Sequence, residues 1–244
     1  VYYEGKVVPA DNAAAAYYFE HAAEQGHTES QHRLGVMYAT GDGVLPNSVE
    51  AARWHLAAAE AGHIKSQFLI GTFFENGEGV PPDDVQAAEW YRRAAEAGHE
   101  LAAFNLAYQL DVGQGLPSDE KDAFQWYQVA AEKGNASAQC NLGAMYAQGR
   151  GTAIDESVAV GWYIQAAEQG LASAQYNLAM MHHQGRGVRV NELEAVEWYH
   201  AAANQGHTGA AFALAIIYDH GEGVVYEDDA EAVKWYGLAA ETGH

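Results

Sequence analysis

The tryptophans of this chain keep a fixed step. Trp54, Trp90, Trp126, Trp162 and Trp198 stand 36 residues apart, Trp235 follows after 37, and Tyr18 fills the equivalent place one period earlier. No tryptophan lies outside the series. A period of this length points to stacked supersecondary units, each too small to bury its own apolar face alone.

Three further series run in the same register. Gly26, Gly62, Gly98, Gly134, Gly170, Gly206 and Gly243 close segments of the type "AAEAGH" or "AAEQGH". Leu34, Ile70, Leu106, Leu142, Leu178 and Leu214 form the second, and glycine pairs beginning at Gly41, Gly77, Gly113, Gly149, Gly185 and Gly221 form the third.

Each period resolves into two helices. In the first, typified by "SAQCNLGAMYAQG" from Ser137, Ala138, Leu142 and Met145 recur at helical spacing. The residue after the leucine is Gly35, Gly71, Ala107, Gly143, Ala179 or Ala215, small enough for a neighbouring helix to come close. In the second, "DDVQAAEWYRRAAEAG" sets Ala87, Trp90, Tyr91, Ala94 and Ala95 along one face. Its start is marked by Asp11, Asn47, Asp83, Asp119, Asp155, Asn191 and Asp228. Such side chains accept hydrogen bonds from the unpaired N–H groups of a first helical turn, worth about 1 kcal/mol each. The periodic glycine is suited to the left-handed conformation just past a helix end.

The combination of "LGVMYATGDGV", "LGAMYAQGRG" and "AAEWYRRAAEAGH" resembles the Sel-1-like repeat (SLR) family, relatives of the tetratricopeptide repeats with a longer unit. The resemblance covers nearly the whole chain. It implies an all-α fold: a right-handed α-α superhelix, or solenoid, of antiparallel helix pairs with a concave protein-binding surface. The expected organisation is one solenoid over residues 1–244, with a partial first repeat at 1–27 and pairs at 28–63, 64–99, 100–135, 136–171, 172–207 and 208–244. "VYYEGKVV" aligns one period before "MYATGDGV", which places residue 1 inside a helix and leads us to expect a fragment of a longer protein. The extra residue of the last period is expected in the loop around "GVVYEDDAE".

Departures from the pattern are few. Cysteine-rich relatives carry a disulfide in each repeat, whereas this chain has the single Cys140. His182 and Leu110 replace the aromatic residue seen at Tyr38, Phe74, Tyr146 and Tyr218, and the third pair reads "QLDVGQGLP" in place of the usual ending.

Twelve Lys and Arg against 33 Asp and Glu give a formal charge of -21. Such a field repels phosphate backbones and anionic lipid and favours basic partners. We therefore expect a protein or peptide partner with basic character, no nucleic acid and no membrane insertion by this chain. The lone cysteine leaves the compartment open.

Residues that define the repeat are spent on packing, so partner contacts are expected where repeats differ from one another. A stripe at i, i+4 and i+7 of the first helix gives Arg33, Met37 and Thr40; Leu69, Phe73 and Asn76; Asn105, Gln109 and Val112. It continues through Asn141 and Gln148, with Met145 between them assigned to the core; Asn177, Met181 and Gln184; Ala213, Ile217 and His220. Asn105, Asn141 and Asn177 form a ladder whose amides could hold an extended peptide or equally could bond the next repeat.

Chemistry of other kinds finds little support. His27, His63, His99, His207 and His244 fall one per period, whereas a zinc site needs three or four convergent ligands. His182 and His183, even with His220 from the following first helix, do not readily share a metal, because adjacent residues on a helix point about 100° apart. The acidic loops lack the alternating oxygen ligands of a calcium site, and "GxG" lacks the Lys and Ser or Thr of a phosphate loop. No cofactor, metal or catalytic constellation is expected. The leading reading is a non-enzymatic adaptor. Two others stay open: a β-lactam or cell-wall hydrolase of the kind proposed for cysteine-rich relatives, though no "SxxK" occurs, and an assembly module of a larger envelope or secreted protein.

Overall fold

Capping cuts this chain into helices of nearly one length. The computed structural model describes residues 11–221 and 226–241. The helices are α1 (Asn12–Glu24), α2 (Thr28–Thr40), α3 (Ser48–Glu60), α4 (Ile64–Asn76), α5 (Asp84–Glu96), α6 (Glu100–Val112), α7 (Glu120–Glu132), α8 (Ala136–Gln148), α9 (Glu156–Glu168), α10 (Ala172–Gln184), α11 (Glu192–Ala203), α12 (Thr208–His220) and α13 (Asp229–Glu241). Among the described residues there is no strand. The expected helix in "VYYEGKVV", the lengthened stretch at 222–225, and Gly243 and His244 lie outside the described residues.

The caps follow the chemistry of the sequence. Asp83 accepts from the N–H groups of Val85 and Gln86 at the head of α5, and Asn47 does the same for Val49 and Glu50 at α3. Asp11, Asp155, Asn191 and Asp228 serve α1, α9, α11 and α13 in the same way. First helices end on a glycine in the left-handed region, as at Gly77 with φ 70°, whose N–H closes onto the carbonyl of Phe73.

The chain divides into two units at 119/120. In the first, α2 packs on α3, α4 on α5, and α5 also on α6. In the second, α7 packs on α8, α8 on α9, α10 on α11 and α12 on α13. The cores are built largely of alanine, with Ala87, Ala88, Ala94 and Ala95 of α5 all buried. Thin side chains bring paired helices close, and the small residue after the leucine shows why. A Cβ at Gly71 would stand 2.7 Å from the Tyr91 ring, and one at Gly143 would stand 2.9 Å from that of Tyr163. The fully enclosed aromatics are Tyr91 and Tyr127, whereas Trp126, Trp162 and Trp198 are only half-buried.

Successive repeats dock through the glycine-pair loop. A Cβ on Gly79 would fall 2.0 Å from the carbonyl oxygen of Ser48, the first residue of the preceding second helix, and Gly187 meets Glu156 in the same manner. Glycine is required there by both contact and backbone, since φ is 70° and 67° respectively. The residue between the glycines reaches the same helix start. Gln114 donates to Asp84 at 3.1 Å, and Arg186 to Glu156 at 2.7 Å.

Candidate interaction surface

The first helices present one face to their second-helix partners and another to solvent, and the expected stripe straddles the two. Thr40, Asn76, Val112, Gln148, Gln184 and His220 are exposed, and Arg33, Leu69, Asn105, Asn141, Asn177 and Ala213 are half-buried. Met37, Phe73, Gln109, Met181 and Ile217 are buried in the core, as is Met145. These five are corrected from surface to core. The i+4 position turns under the helix into the core, whereas the i+3 position stays partly exposed. Val36, Thr72, Tyr108, Ala144, Met180 and Ile216 occupy that i+3 place, all half-buried except Tyr108, which is 46% exposed. The open face therefore runs i, i+3, i+7 along α2, α4 and α6 in the first unit, and along α8, α10 and α12 in the second.

The asparagine ladder is partly absorbed by the scaffold. Asn105 hydrogen-bonds the Tyr91 hydroxyl, which itself donates to Glu75 at 2.6 Å. Burial, followed by that bond to a carboxylate, pushes the Tyr91 phenol well above its ordinary range. Gln109 donates to the other Glu75 oxygen at 3.3 Å. Asn177 reaches the Cys140 sulfur of the preceding repeat at 3.7 Å. Asn141 is half-buried. Cys140 is a buried, free thiol that burial pushes upward, which makes it a poor nucleophile.

The histidines have a role that spacing alone did not reveal. His27, His63, His99 and His207 are the N-caps of α2, α4, α6 and α12, each accepting through Nδ1 from the N–H three residues on. Asn135 does the same for α8. The signal was present in the sequence, because Asn135 stands in the histidine register. His182 and His183 each take a separate carboxylate of α11, Glu194 at 3.0 Å and Glu192 at 2.9 Å. His220 bonds the carbonyl of Ile216. Among the described residues no group of three or more His, Cys, Asp and Glu side chains is arranged to hold a metal ion.

One cluster in the first unit departs from the repeat. The Nδ1 atoms of His32, His55 and His63 lie 3.0, 3.4 and 3.0 Å from the Ser66 hydroxyl oxygen. His32 and His63 border a cleft of about 620 Å³ that also meets Glu29, Arg33 and Lys65. Burial, then repulsion from neighbouring imidazoles, brings both His32 and His55 down to about 4.

Uniform helices, capped alike and docked pair on pair, define the class of α-helical repeat proteins. The chain belongs to the Sel1 repeat family, whose model matches residues 1–27, 28–63, 64–99, 101–135, 136–171, 172–207 and 208–244. It is similar to a protective antigen of uropathogenic Escherichia coli displaying an SLR fold, with 35% identity and a TM-score of 0.93 over 100% of this chain and 52% of that one. The chain thus spans about half the length of that antigen. A Sel1 repeat protein from Oxalobacter formigenes is 33% identical with a TM-score of 0.76, covering 95% of this chain and 97% of that one. A comparison with curated proteins finds no match. Sel1 repeat proteins are in general non-catalytic scaffolds for protein interaction. Among the described residues no helix is long and apolar enough to cross a membrane.

Proposed function

We propose that this chain is a non-enzymatic adaptor that holds a protein or extended peptide along the open face of its first helices. The observation that carries this reading is the division of labour within each repeat. Positions common to the repeats are spent on caps, core and docking, while the i, i+3, i+7 face changes from repeat to repeat and is half-buried to exposed. Tyr108 and Met180 are the anchors we assign, since an aromatic or a flexible thioether contributes much contact area at small cost in ordering. The charge of -21 steers a basic partner toward the surface.

Site-specific photo-crosslinking tests the assignment. A crosslinking residue at Tyr108 in the first unit, or at Met180 in the second, should capture a partner, while the same residue at Glu89 or Glu197, exposed on second helices, should not. Capture from the glutamate positions alone would move the interface to the other face and overturn the proposal.

A further inference from the structure

We infer that His32, His55, His63 and Ser66 form an acid-sensitive clamp that ties α2, α3 and α4 together only while its imidazoles are neutral. The bonding pattern fixes the protons. The Ser66 N–H donates to His63 Nδ1 at 3.2 Å, so that nitrogen carries no hydrogen. Its contact with the Ser66 hydroxyl then requires the hydroxyl to donate. The hydroxyl has no second proton, so His32 and His55 must each donate their Nδ1–H into its two lone pairs. Every site on Ser66 is used, and three helices meet at one oxygen.

Added protons break this arrangement. His55 is buried, and a charge there meets the imidazoles of His32 and His63. A charge on His32 sits 4.2 Å, ring to ring, from His63 and 5.5 Å from His55. The charged groups facing the cluster do not offset this. From α2, Glu29 lies 3.5 Å from His63 Nε2, but its other oxygen is held by Arg33 at 2.8 Å. Glu29 also favours a charge on His32, but Lys65 from the start of α4 and Arg33 from α2 oppose it, and the groups acting on His55 are the imidazoles of His32 and His63. Both His32 and His55 titrate near 4 in the folded chain against 6.5 for the free side chain. The clamp is therefore complete above pH 6.5 and lost as pH falls toward 4. Because two of its imidazoles border the cleft, opening it reshapes the first-unit surface.

Other repeats supply the control. The place of His32 is taken by Phe68, Phe104, Cys140, Tyr176 or Phe212, and that of His55 by Tyr91, Tyr127, Tyr163 or Tyr199. Phe68 stacks on His99 at 4.5 Å much as His32 does on His63, and Gly35 leaves beside His55 the space that Gly71 leaves beside Tyr91. The variant H32F/H55Y thus rewrites the clamp in the pattern of its neighbours.

Hydrogen exchange of α2 and α4, corrected for intrinsic rate and followed from pH 7.5 downward, compares the full chain with that variant. We expect opening of α2 and α4 in the wild type to rise by up to about a hundredfold per pH unit below 6.5, the limit set by uptake of two protons. In the variant their rise should follow that of α6 and α12, which keep the same histidine cap without the cluster. Coincident profiles for the two proteins would overturn the clamp. So would imidazole resonances of His32 and His55 in the wild type that titrate near 6.5 with α2 and α4 still protected, a readout that needs no variant.

Discussion

A buried amide oxygen without a donor destabilises a fold, and two such atoms in the first unit trace to single alanines. Gln31, Gln67, Gln139 and Gln175 each donate through Nε2 to the carbonyl eight residues back. In the second unit, Gln169 and Gln205, thirty residues on, complete the amides by donating to the oxygens of Gln139 and Gln175 at 2.7 and 2.8 Å. The first unit has Ala61 and Ala97 in those places, and the oxygens of Gln31 and Gln67 are buried without a partner. Ala61→Gln and Ala97→Gln should each raise unfolding free energy by about 0.5–1.5 kcal/mol, whereas Ala61→Glu, which brings no donor, should not. Chemical denaturation checks this, and equal effects of Gln and Glu would refute the bond. The alternation of "AAEQG" and "AAEAG" was visible in the sequence, but the partner thirty residues away was not, because it depends on how neighbouring helices stack. The same limit explains Met37, Phe73, Gln109, Met181 and Ile217. Periodicity placed them on a helix side, and only the position of the partner helix decided between core and solvent.

At the level of the element, the boundaries were legible because capping is local chemistry. Aspartate or asparagine before each second helix and glycine after each first helix act within a turn, so the sequence carried them without tertiary knowledge. The cap of the first helices escaped notice because histidine there does the work of asparagine. This substitution has a consequence for pH. His99 Nδ1 accepts from the Ala102 N–H at 3.3 Å, and burial holds its imidazole below the ordinary 6.5. A protonated ring would lose the cap and place positive charge at a helix N-terminus, which the helix dipole disfavours. Stability from this cap is thus complete above pH 6.5 and declines as pH falls below it. His99→Asn should change stability by less than about 0.5 kcal/mol at pH 7.5, since asparagine is a good cap, and should exceed the wild type at pH 5. Thermal melts at both values decide it, and parallel losses in the two proteins would show that the cap does not titrate.

Across the whole chain, the 36-residue step and the charge were the features readable from composition and order alone, and they pull on stability in different directions. The step fixes how each helix pair is made. It also returns the same exposed acid to the same place: Glu60 and Glu96 in the first unit, Glu132 and Glu168 in the second. Two like charges about 10 Å apart in water repel by about 0.4 kcal/mol. A single pair matters little, but the excess of 33 acids over 12 bases multiplies the effect. The screening length falls from about 30 Å at 0.01 M salt to below 10 Å at 0.15 M, so added salt should relieve repulsion across much of the surface. We therefore expect the melting temperature to rise by several degrees between about 10 and 300 mM sodium chloride. Glu60→Gln with Glu96→Gln should raise it at low salt and flatten its salt dependence. A melting temperature that falls with salt would mean that attractive pairs such as Arg53 with Glu50 and Lys234 with Glu231 outweigh the repulsion. Those pairs are largely solvent-exposed and joined at one helical turn, the geometry least able to do so.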